Sequence, residues 1–300
     1  MSQRIFVVFN PRSGKGRGAR LVEPVLRALA SSGDSVEHGL TEKAGDEARL
    51  AEAAIARGFD TVVAVGGDGT WSNVANALLK AGAGTRLGII PGGTGCDLGK
   101  SLGIPAKDLE ACARIIRGGV TRAIDVGRIE GRYFLNVLGF GFDIAVLEDS
   151  WTVHWLSGEL LYVYCALRQL HAFPGFSVEW AVDGGPAEKR DLMMLVLANG
   201  RIFGGGFKIA PAAELADGLL DAMAFGNMGL ARRLPLMLRL LRGTHQAAPE
   251  VAWTPGRRFR LRFPSPPAYE TDGEWNRAQS AELEVETLPG ALQVLVPAPA

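Results

Sequence analysis

The sequence predicts two domains, an α/β domain with a mostly parallel sheet followed by an antiparallel, β-rich domain. Four strand–helix steps occur before Arg122, and this alternation is typical of a parallel sheet covered by helices. After Arg122 the β-favouring runs become short and are separated by Gly, Pro and Asp-Gly turns, which indicates antiparallel strands. The length of 300 residues also favours two domains, since single cores stop growing at roughly 250–300 residues.

The first half is expected to alternate strands and helices. Short β-rich runs predict the strands, and apolar residues three and four apart predict the helices, as with Leu21, Val25 and Leu29 in the first one. The predicted strands are 4–10, a piece near Val36, Thr61–Val65 and Leu87–Ile90; the predicted helices are Ala19–Leu29, Asp46–Arg57, Thr70–Lys80, one around Leu98, and Lys107–Arg117.

The second half is expected to be mainly β-structure with two helices. The predicted strands are Phe134–Val137, Ser177–Val182, Leu192–Ala198, Leu219–Phe225, Phe259–Phe263, Leu283–Val285 and Ala291–Val296; the predicted helices are Leu156–Leu170 and Met228–Leu241. We therefore predict a first domain over residues 1–122, completed by the C-terminal segment 287–300, and a second domain over residues 123–286.

Charge and cysteine content narrow the class of protein. The chain has 32 basic and 32 acidic side chains and no formal net charge, which argues against a nucleic-acid-binding coat or a disordered tail. Its three cysteines form no CxxC pair and no Cys/His cluster with zinc-site spacing. No apolar stretch approaches the 18 residues of a membrane span. We therefore expect a cytoplasmic protein without zinc.

Glycine is unusually frequent, with 39 residues against a usual share of about 7%, and three glycine clusters follow predicted strands. The first, Asn10–Gly16 (NPRSGKG), places backbone N–H groups and Lys15 where a helix begins, an arrangement that favours a phosphate. The alternative is an ordinary basic turn. Gly14, Gly16 and Ala19 match a loose G-x-G-x-x-A pattern, but the run lacks the spacing of a Walker A loop.

The other clusters each carry an acid. Gly66–Thr70 (GGDGT) and Pro91–Asp97 (PGGTGCD) follow strands that we expect to be neighbours, so Asp68 and Asp97 should lie at the same edge of the sheet. Consecutive glycines let a phosphate chain approach the backbone, while the carboxylates suit Mg²⁺ or a hydroxyl. The fourth cluster, Thr271–Glu274 (TDGE), contains Asp-Gly, which taken alone predicts a hairpin turn.

In their order along the chain, these motifs resemble the diacylglycerol kinase catalytic-domain superfamily, which includes bacterial lipid kinases, sphingosine kinases and ceramide kinases. Asn10–Gly14 is similar to the family's opening phosphate loop, Gly66–Thr70 to its GGDGT signature, Pro91–Asp97 to its P-x-G-T-x-N-D loop, and Asp272–Glu274 to its C-terminal D-G-E. The segments 125–127, 134–141 and 203–219 are also similar to the family pattern.

The resemblance implies a lipid kinase that uses ATP and Mg²⁺. The N-terminal domain would be similar to that of NAD kinase and phosphofructokinase and would bind the nucleotide, while the C-terminal domain would be an antiparallel β-sandwich that binds the lipid. Phosphoryl transfer depends on positioned oxygens and charge neutralisation more than on covalent chemistry. Glycine loops and dispersed aspartates supply both.

The resemblance also assigns residue roles. It implies Asp272 as the general base, assisted by Asp68 and Glu274. Glu274 would bind the catalytic Mg²⁺, Asp68, Asp97 and Asp125 would complete its water network, and Asp217 would belong to a second, structural Mg²⁺ site. The ATP-binding residues that it implies are Asn10, Ser13, Gly14, Lys15, Gly66, Gly67, Asp68, Gly69, Thr70, Gly93, Thr94 and Asp97.

Two positions depart from the family pattern. Cys96 stands where the family has asparagine, and Trp71-Ser72-Asn73 replaces leucine-asparagine-glutamate. A thiol cannot form the paired hydrogen bonds of an amide. We interpret Cys96 as a small buried residue rather than a reactive thiol.

A lipid kinase without a membrane span must reach its substrate at the bilayer surface. Two segments suit peripheral association with the inner face of the membrane: the aromatic stretch 151–164 and the basic, amphipathic Met228–Arg242. Both could instead be ordinary helices of the second domain. A homodimer is compatible with the resemblance.

The acceptor remains open at this level. Diacylglycerol is our first hypothesis, because the short, alanine- and arginine-rich chain resembles bacterial members; ceramide, a sphingoid base and phosphatidylglycerol are alternatives. An NAD kinase shares the G-G-D-G loop but not the Asn-Pro-x-Ser-Gly opening or the Asp-Gly-Glu motif. A non-catalytic nucleotide-binding relative is the third hypothesis, and the intact aspartates argue against it.

Overall fold

The computed structural model describes residues 3–30, 35–43, 45–82, 84–156 and 159–298. The chain divides into two compact units. The first unit comprises Met1–Val126, Leu215–Asp217 and Leu288–Ala300, and the second comprises Gly127–Glu214 and Gly218–Thr287. Two long strands, β5 (Val120–Ile129) and β15 (Glu282–Val296), pass from one unit into the other.

The first unit contains a parallel sheet, which confirms the predicted α/β class. Its other elements are β1 (Arg4–Phe9), α1 (Ser13–Ala30), β2 (Ser35–Leu40), α2 (Asp46–Ala56), β3 (Thr61–Gly66), α3 (Asp68–Ala81), β4 (Arg86–Pro91), α4 (Asp97–Ser101) and α5 (Leu109–Gly118). The strand order is β4-β3-β1-β2, and the end of β15 runs parallel to β4 at Val294 and Leu87. Every residue of β3 is buried, as in parallel strands covered on both faces.

The second unit contains mainly antiparallel strands, as predicted. Its elements are β6 (Arg132–Phe134), β7 (Val137–Gly141), α6 (Phe142–Ser150), α7 (Glu159–Ala172), β8 (Phe176–Val182), β9 (Glu188–Ala198), β10 (Leu220–Gly226), α8 (Leu230–Arg242), β11 (Val251–Gly256), β12 (Arg258–Arg262), β13 (Ala268–Thr271) and β14 (Glu274–Arg277). The strand order is β14-β13-β7-β9-β8-β12-β15, and β10 joins β9 to β11.

Alternation along β9 places side chains in two separate cores. Leu195 and Leu197 pack into an aromatic-rich cluster between strands, whereas Met194 and Val196 pack against residues of α6, α7 and α8. Successive side chains of a strand point to opposite faces of its sheet. The sheet of the second unit is therefore buried on both sides at this point.

Several predicted elements differ from the observed ones. The predicted strand Phe134–Val137 is interrupted, because β6 ends at Phe134 and β7 begins at Val137. The pieces predicted at Leu283–Val285 and Ala291–Val296 are one strand, β15. The predicted helix Leu156–Leu170 is observed as Glu159–Ala172, and residues 157 and 158 of that prediction lie outside the described residues.

Helix α6 is absent from the sequence-based prediction, because its buried residues do not form a helical stripe distinct from an apolar run. Within the described ranges, none of the helices combines the length and apolar character needed to span a bilayer.

Candidate active site

Three glycine loops of the first unit pack backbone against backbone. The carbonyl oxygen of Gly66 accepts hydrogen bonds from the N–H groups of Gly92 (2.7 Å) and Gly93 (3.0 Å). A Cβ at Gly93 would lie 2.5 Å from the Cα of Gly67, closer than any side chain allows. Glycine is required here by the close approach of two chains. The two clusters predicted to share an edge of the sheet do so.

The opening loop joins the same cluster through Asn10. The side-chain amide of Asn10 donates to the hydroxyl of Thr70 (3.2 Å) and to Oε1 of Glu47 (3.1 Å). The hydroxyl of Ser13 donates to the carbonyl of Asn10 at 2.9 Å. A Cβ at Gly14 would clash with the carbonyl oxygen of Gly92. The structure thus brings together predicted residues from all three loops.

Lys15 and Arg17 add positive charge to this loop. Gly14, Lys15 and Gly16 have left-handed backbone conformations at the start of α1, which is unusual for a lysine. Lys15 is exposed. The guanidinium of Arg17 donates to the carbonyl of Gly93 at 2.6 Å. Arg17 is not among the predicted site residues, because it lies between the opening cluster and the predicted helix Ala19–Leu29, where nothing in the sequence shows that its side chain turns back onto a loop.

Asp68 and Asp97 border one small space beside Gly95. An ideal Cβ at Gly95 would lie 3.2 Å from Oδ2 of Asp68 and 3.7 Å from Oδ2 of Asp97. Oδ1 of Asp68 accepts from the N–H of Leu98 at 3.1 Å, and Oδ1 of Asp97 accepts from Nζ of Lys100 at 2.8 Å. Two carboxylates with oxygens directed to one space provide the donor type that Mg²⁺ prefers.

The start of α3 provides a place for phosphate oxygens. The helix begins at Asp68, directly after the extended Gly67, and no side chain caps it. The first N–H groups of a helix have no partner within the helix, and the dipole makes this end positive. Together with the glycine loops, this end of α3 can bind the phosphates of a nucleotide.

Asp125 holds distant parts of the chain together within the first unit. Its side chain is 1% exposed, and Oδ1 accepts from the N–H of Gly290 at 2.7 Å. Its own N–H donates to the carbonyl of Leu215 at 2.7 Å, so it anchors both later segments of this unit. Asp217 is exposed in one of these segments. In the described part of the chain, no three His, Cys, Asp or Glu side chains are grouped as a metal site, so the predicted set of metal ligands stays a prediction.

Cys96 is buried, in agreement with its interpretation as a small core residue. Burial, followed by the charge of Asp68, raises the pKa of the Cys96 thiol to about 11. The thiol is therefore protonated at neutral pH, whereas the thiolate is the reactive form of cysteine.

In the second unit, the carboxylate of Asp272 is held by three backbone N–H groups. Oδ1 accepts from Asn136 (2.8 Å) and Val137 (3.1 Å), and Oδ2 accepts from Leu135 (2.9 Å). Asp272 lies between β13 and β14 with φ 52°, followed by Gly273 with φ 87°. Positive φ at both central residues is typical of a type I′ hairpin turn. The turn predicted from Asp-Gly therefore also fixes a buried carboxylate, and Glu274 begins the next strand.

The interruption between β6 and β7 supplies N–H groups for the Asp272 carboxylate. Asn199 stabilises the backbone of this interruption. The side-chain amide of Asn199 donates to the carbonyl of Leu135 at 2.8 Å, and its N–H donates to the carbonyl of Asn136 at 2.8 Å. Glu270 supports the turn, because Oε2 accepts from the N–H of Gly273 at 2.9 Å. Neither Asn199 nor Glu270 is among the predicted site residues; Asn199-Gly200 reads as an ordinary turn signal.

Comparison with known proteins identifies both halves. Residues 4–129 match the family model of the diacylglycerol kinase catalytic domain, and residues 136–296 match that of the YegS C-terminal NAD kinase beta sandwich-like domain. A protein named diacylglycerol kinase from Mycobacterium tuberculosis is 32% identical over 299 residues, covering 98% of this chain and 95% of its own.

A second relative and a solved structure show the same similarity to diacylglycerol kinases. A diacylglycerol kinase from Bacillus subtilis is 30% identical over 275 residues, covering 91% of this chain and 90% of its own. The crystal structure of a diacylglycerol kinase from Bacillus anthracis superimposes with a TM-score of 0.74 at 19% identity, covering 98% of this chain and 97% of that one. At this identity, the structural likeness establishes the fold, including the predicted β-sandwich character of the second half.

Proposed function

The chain belongs to the family of the diacylglycerol kinase catalytic domain and is a lipid kinase, and from this premise we propose that it transfers the γ-phosphate of ATP to the hydroxyl of diacylglycerol, forming phosphatidic acid. The observation that carries the proposal is the fixed carboxylate of Asp272, bound by three N–H groups at a hairpin turn. The acceptor is taken from the names of the relatives that match along almost their whole length.

In this proposal Asp272 removes the proton of the acceptor hydroxyl as that oxygen attacks phosphorus. A carboxylate can act as a general base once a hydroxyl lies about 2.6–3.2 Å from it. The three N–H donors keep the carboxylate oriented, so little rearrangement is needed when the acceptor arrives. The glycine loops, Lys15 and the start of α3 bind the phosphates of ATP.

Mg²⁺ would neutralise charge on the phosphates of ATP. Asp68 and Asp97 fit this ion, because their Oδ2 atoms border the same space beside Gly95. Glu274 and Asp125 complete the proposed set, and Asp217 is the proposed ligand of a second, structural ion. Asp125 already accepts a hydrogen bond from Gly290, so its part is through its second oxygen or a water molecule.

A cleft of about 420 Å³ in the second unit suits an acyl chain. Its lining includes the apolar Phe140, Ile144, Phe176 and Phe263. Its polar side chains are Glu148, Ser177, Ser265 and Arg277. Lipid-binding pockets are mostly apolar with a few polar groups that orient the ligand. Strand β7 carries both Phe140, which lines the cleft, and Val137, which binds Asp272.

Phosphate transfer to a panel of acceptors tests the proposal. Mixed micelles would each contain one candidate, namely diacylglycerol, monoacylglycerol, phosphatidylglycerol, sphingosine or ceramide, and be incubated with Mg²⁺ and γ-labelled ATP. We expect label in phosphatidic acid from the diacylglycerol micelles. Label mainly in another lipid would reassign the acceptor, conversion of NAD to NADP in a parallel sample would indicate NAD kinase, and no label with ATP bound would indicate a non-catalytic relative.

Helix α8 is the surface that we propose for peripheral membrane binding. Leu230, Leu234, Leu238 and Leu241 are 47–52% exposed and follow one face of the helix, whereas Leu236 and Leu240 are buried on another. Arg239 and Arg242 are exposed beside the leucine face. An apolar stripe flanked by arginines suits the interface of an anionic bilayer.

We expect the double variant Leu234→Asp, Leu238→Asp to bind anionic vesicles at least about tenfold more weakly, because two apolar contacts are replaced by repelled charges. Sedimentation with phosphatidylglycerol-containing vesicles measures this. Leu40→Asp, at an exposed leucine of the first unit, is the matched control. Unchanged vesicle binding would exclude α8, and a dimer abolished by the same substitutions would assign the stripe to self-association.

A further inference from the structure

Asp143 is a buried acid that the proposed reaction does not use. It lies in the first turn of α6, and neither carboxylate oxygen has a hydrogen-bond partner among the described residues. Burial raises the pKa of Asp143 to about 7; the nearby backbone N–H groups of Ile144 and of Asp143 itself, which do not reach hydrogen-bond geometry, oppose this effect only in part. A buried, protonated carboxylic acid requires a hydrogen-bond acceptor for its O–H group.

The neighbour of Asp143 is Glu270 of β13. Both side chains lie over Gly139 of β7, where an ideal Cβ would clash with Oδ2 of Asp143 and lie 3.2 Å from Cγ of Glu270. Gly139 is also the strand partner of Glu270. The missing side chain of Gly139 therefore leaves a space that both acid side chains border.

Glu270 connects this space to the turn of the general base. Its Oε2 accepts from the N–H of Gly273 at 2.9 Å, and Gly273 follows Asp272 directly. Glu270 is 4% exposed, so the contact is inside the protein. A displacement of the Glu270 side chain would release Gly273 and shift the hairpin turn.

We propose that Asp143 and Glu270 share one proton, with the hydroxyl of protonated Asp143 donating to the Glu270 carboxylate, and that this pair positions the Asp272–Gly273 turn. Two buried carboxylates that border one small space cannot both ionise at low cost, so one retains a proton. A protonated acid gains the donor that the pair needs. Asp143 and Glu270 are thus positioning residues, and the inference rests on the proposed role of Asp272.

The other charged groups near α6 are engaged elsewhere. Arg168 of α7 pairs with Asp149 at 3.3 Å, Glu148 accepts from Nε1 of Trp275 at 3.0 Å, and Tyr269 of β13 donates to Glu130 at 3.1 Å. Strand β7 and the segment 192–198 of β9 contain no titratable side chain. In the described structure, Glu270 is the charged side chain placed beside Asp143.

The pH profile of turnover in the Asp143→Asn variant tests the inference. The amide can donate to Glu270 at every pH, whereas Asp143 loses its proton as the pH rises. We expect wild-type kcat to fall about fivefold between pH 7 and pH 8, as the loss of one essential proton with a pKa of about 7 requires, and the variant to remain level over this range. Asp149→Asn, a buried acid of the same helix, should retain the wild-type profile.

The stability of the same variant is a second readout that needs no substrate. Because the pKa of Asp143 is raised from 3.8 to about 7, the folded chain binds more protons than the unfolded chain between these values, and wild-type stability should fall as the pH rises through this window. The stability of the Asp143→Asn variant should not show this fall with rising pH.

The outcomes of the two readouts are distinct. Equal pH dependence of stability in both proteins would overturn the shared proton. An altered stability profile with an unaltered kcat profile would overturn the positioning role. If the wild type phosphorylates no lipid, the proposed function fails, and the stability readout alone decides whether Asp143 retains its proton in the folded chain.

Discussion

Replacing Asp272 by Asn is expected to lower kcat by about 10²- to 10⁴-fold, the usual contribution of a general base, while ATP binds as in the wild type. The substitution removes the proton acceptor for the lipid hydroxyl. The glycine loops belong to the first unit and do not contain Asp272, so the phosphate-binding groups are unchanged. Turnover in mixed micelles and calorimetric titration with ATP measure the two quantities.

The variant will also change the hydrogen bonds of the turn. The carboxylate accepts from Leu135, Asn136 and Val137, and an amide group has one donor end that must face one of these N–H groups. We expect a stability loss of about 1–3 kcal/mol from the buried donor left without an acceptor. Chemical denaturation measures it and shows whether the protein remains folded under assay conditions.

Asp221→Asn is the matched control for this experiment. Asp221 is also buried in the second unit, and its Oδ1 accepts from Nε1 of Trp253 at 2.5 Å. It is part of no proposed site, so its amide variant should retain wild-type turnover. Wild-type turnover in Asp272→Asn would refute the base assignment, and a similar loss in both variants would attribute the effect to the folding of the unit.

Asp68→Asn is expected to lower kcat/KM by about 10²- to 10³-fold, the scale observed when one preorganised electrostatic contact is removed from an active site. Asparagine keeps an oxygen that can accept from the N–H of Leu98, as Oδ1 of Asp68 does. It removes one of the two negative charges that border the space beside Gly95. The substitution therefore tests the effect of the negative charge while the hydrogen bond that holds the loop is kept.

Titration of activity with Mg²⁺ decides the interpretation. If Asp68 helps to bind the ion, the variant should need a higher Mg²⁺ concentration for half-maximal activity. Asp60→Asn is the control, because Asp60 lies in the same unit and its Oδ2 accepts from the N–H of Arg4 at 2.8 Å, away from the glycine loops. An Asp68→Asn enzyme with wild-type activity and Mg²⁺ dependence would contradict the assignment.

The parallel sheet and its loops are predictable because their signals are local. Buried strands such as Thr61–Gly66 are short apolar runs, and the glycines that follow them mark close backbone contacts. Parallel neighbours end at the same edge, so the amino-acid sequence alone places Gly66, Gly93 and their acids together. It does not place Arg17 with them, because the contact of Arg17 with Gly93 depends on the path of a side chain.

The surroundings of Asp272 are predictable only as a turn. The N–H groups that bind its carboxylate come from residues about 135 positions earlier in the sequence. Local sequence assigns Leu135 and Asn136 to a continuous strand, since the β-favouring run around them looks the same whether or not its backbone is paired. The gap in that strand is set by tertiary contacts with the turn and with Asn199.

Asp125 also has tertiary contacts that the sequence does not predict. Its place in the motif series suggests a ligand role, and nothing in the sequence indicates that its Oδ1 accepts from the N–H of Gly290 or that its own N–H donates to Leu215. Both contacts join segments far apart along the chain. A single residue can therefore match a family motif and stabilise the fold as well.

The first unit is formed by three separate segments of the chain, and this determines when it can be completed during synthesis. Its parallel sheet gains the end of β15 only through Val294 beside Leu87, and Asp125 obtains the Gly290 contact from the same late segment. A nascent chain that has passed Val126 therefore lacks parts of its first unit until the segment that begins at Leu288 has been translated. Domains generally fold as units during synthesis, and here the first unit gains the segment from Leu288 only after the residues of the second unit have been synthesised.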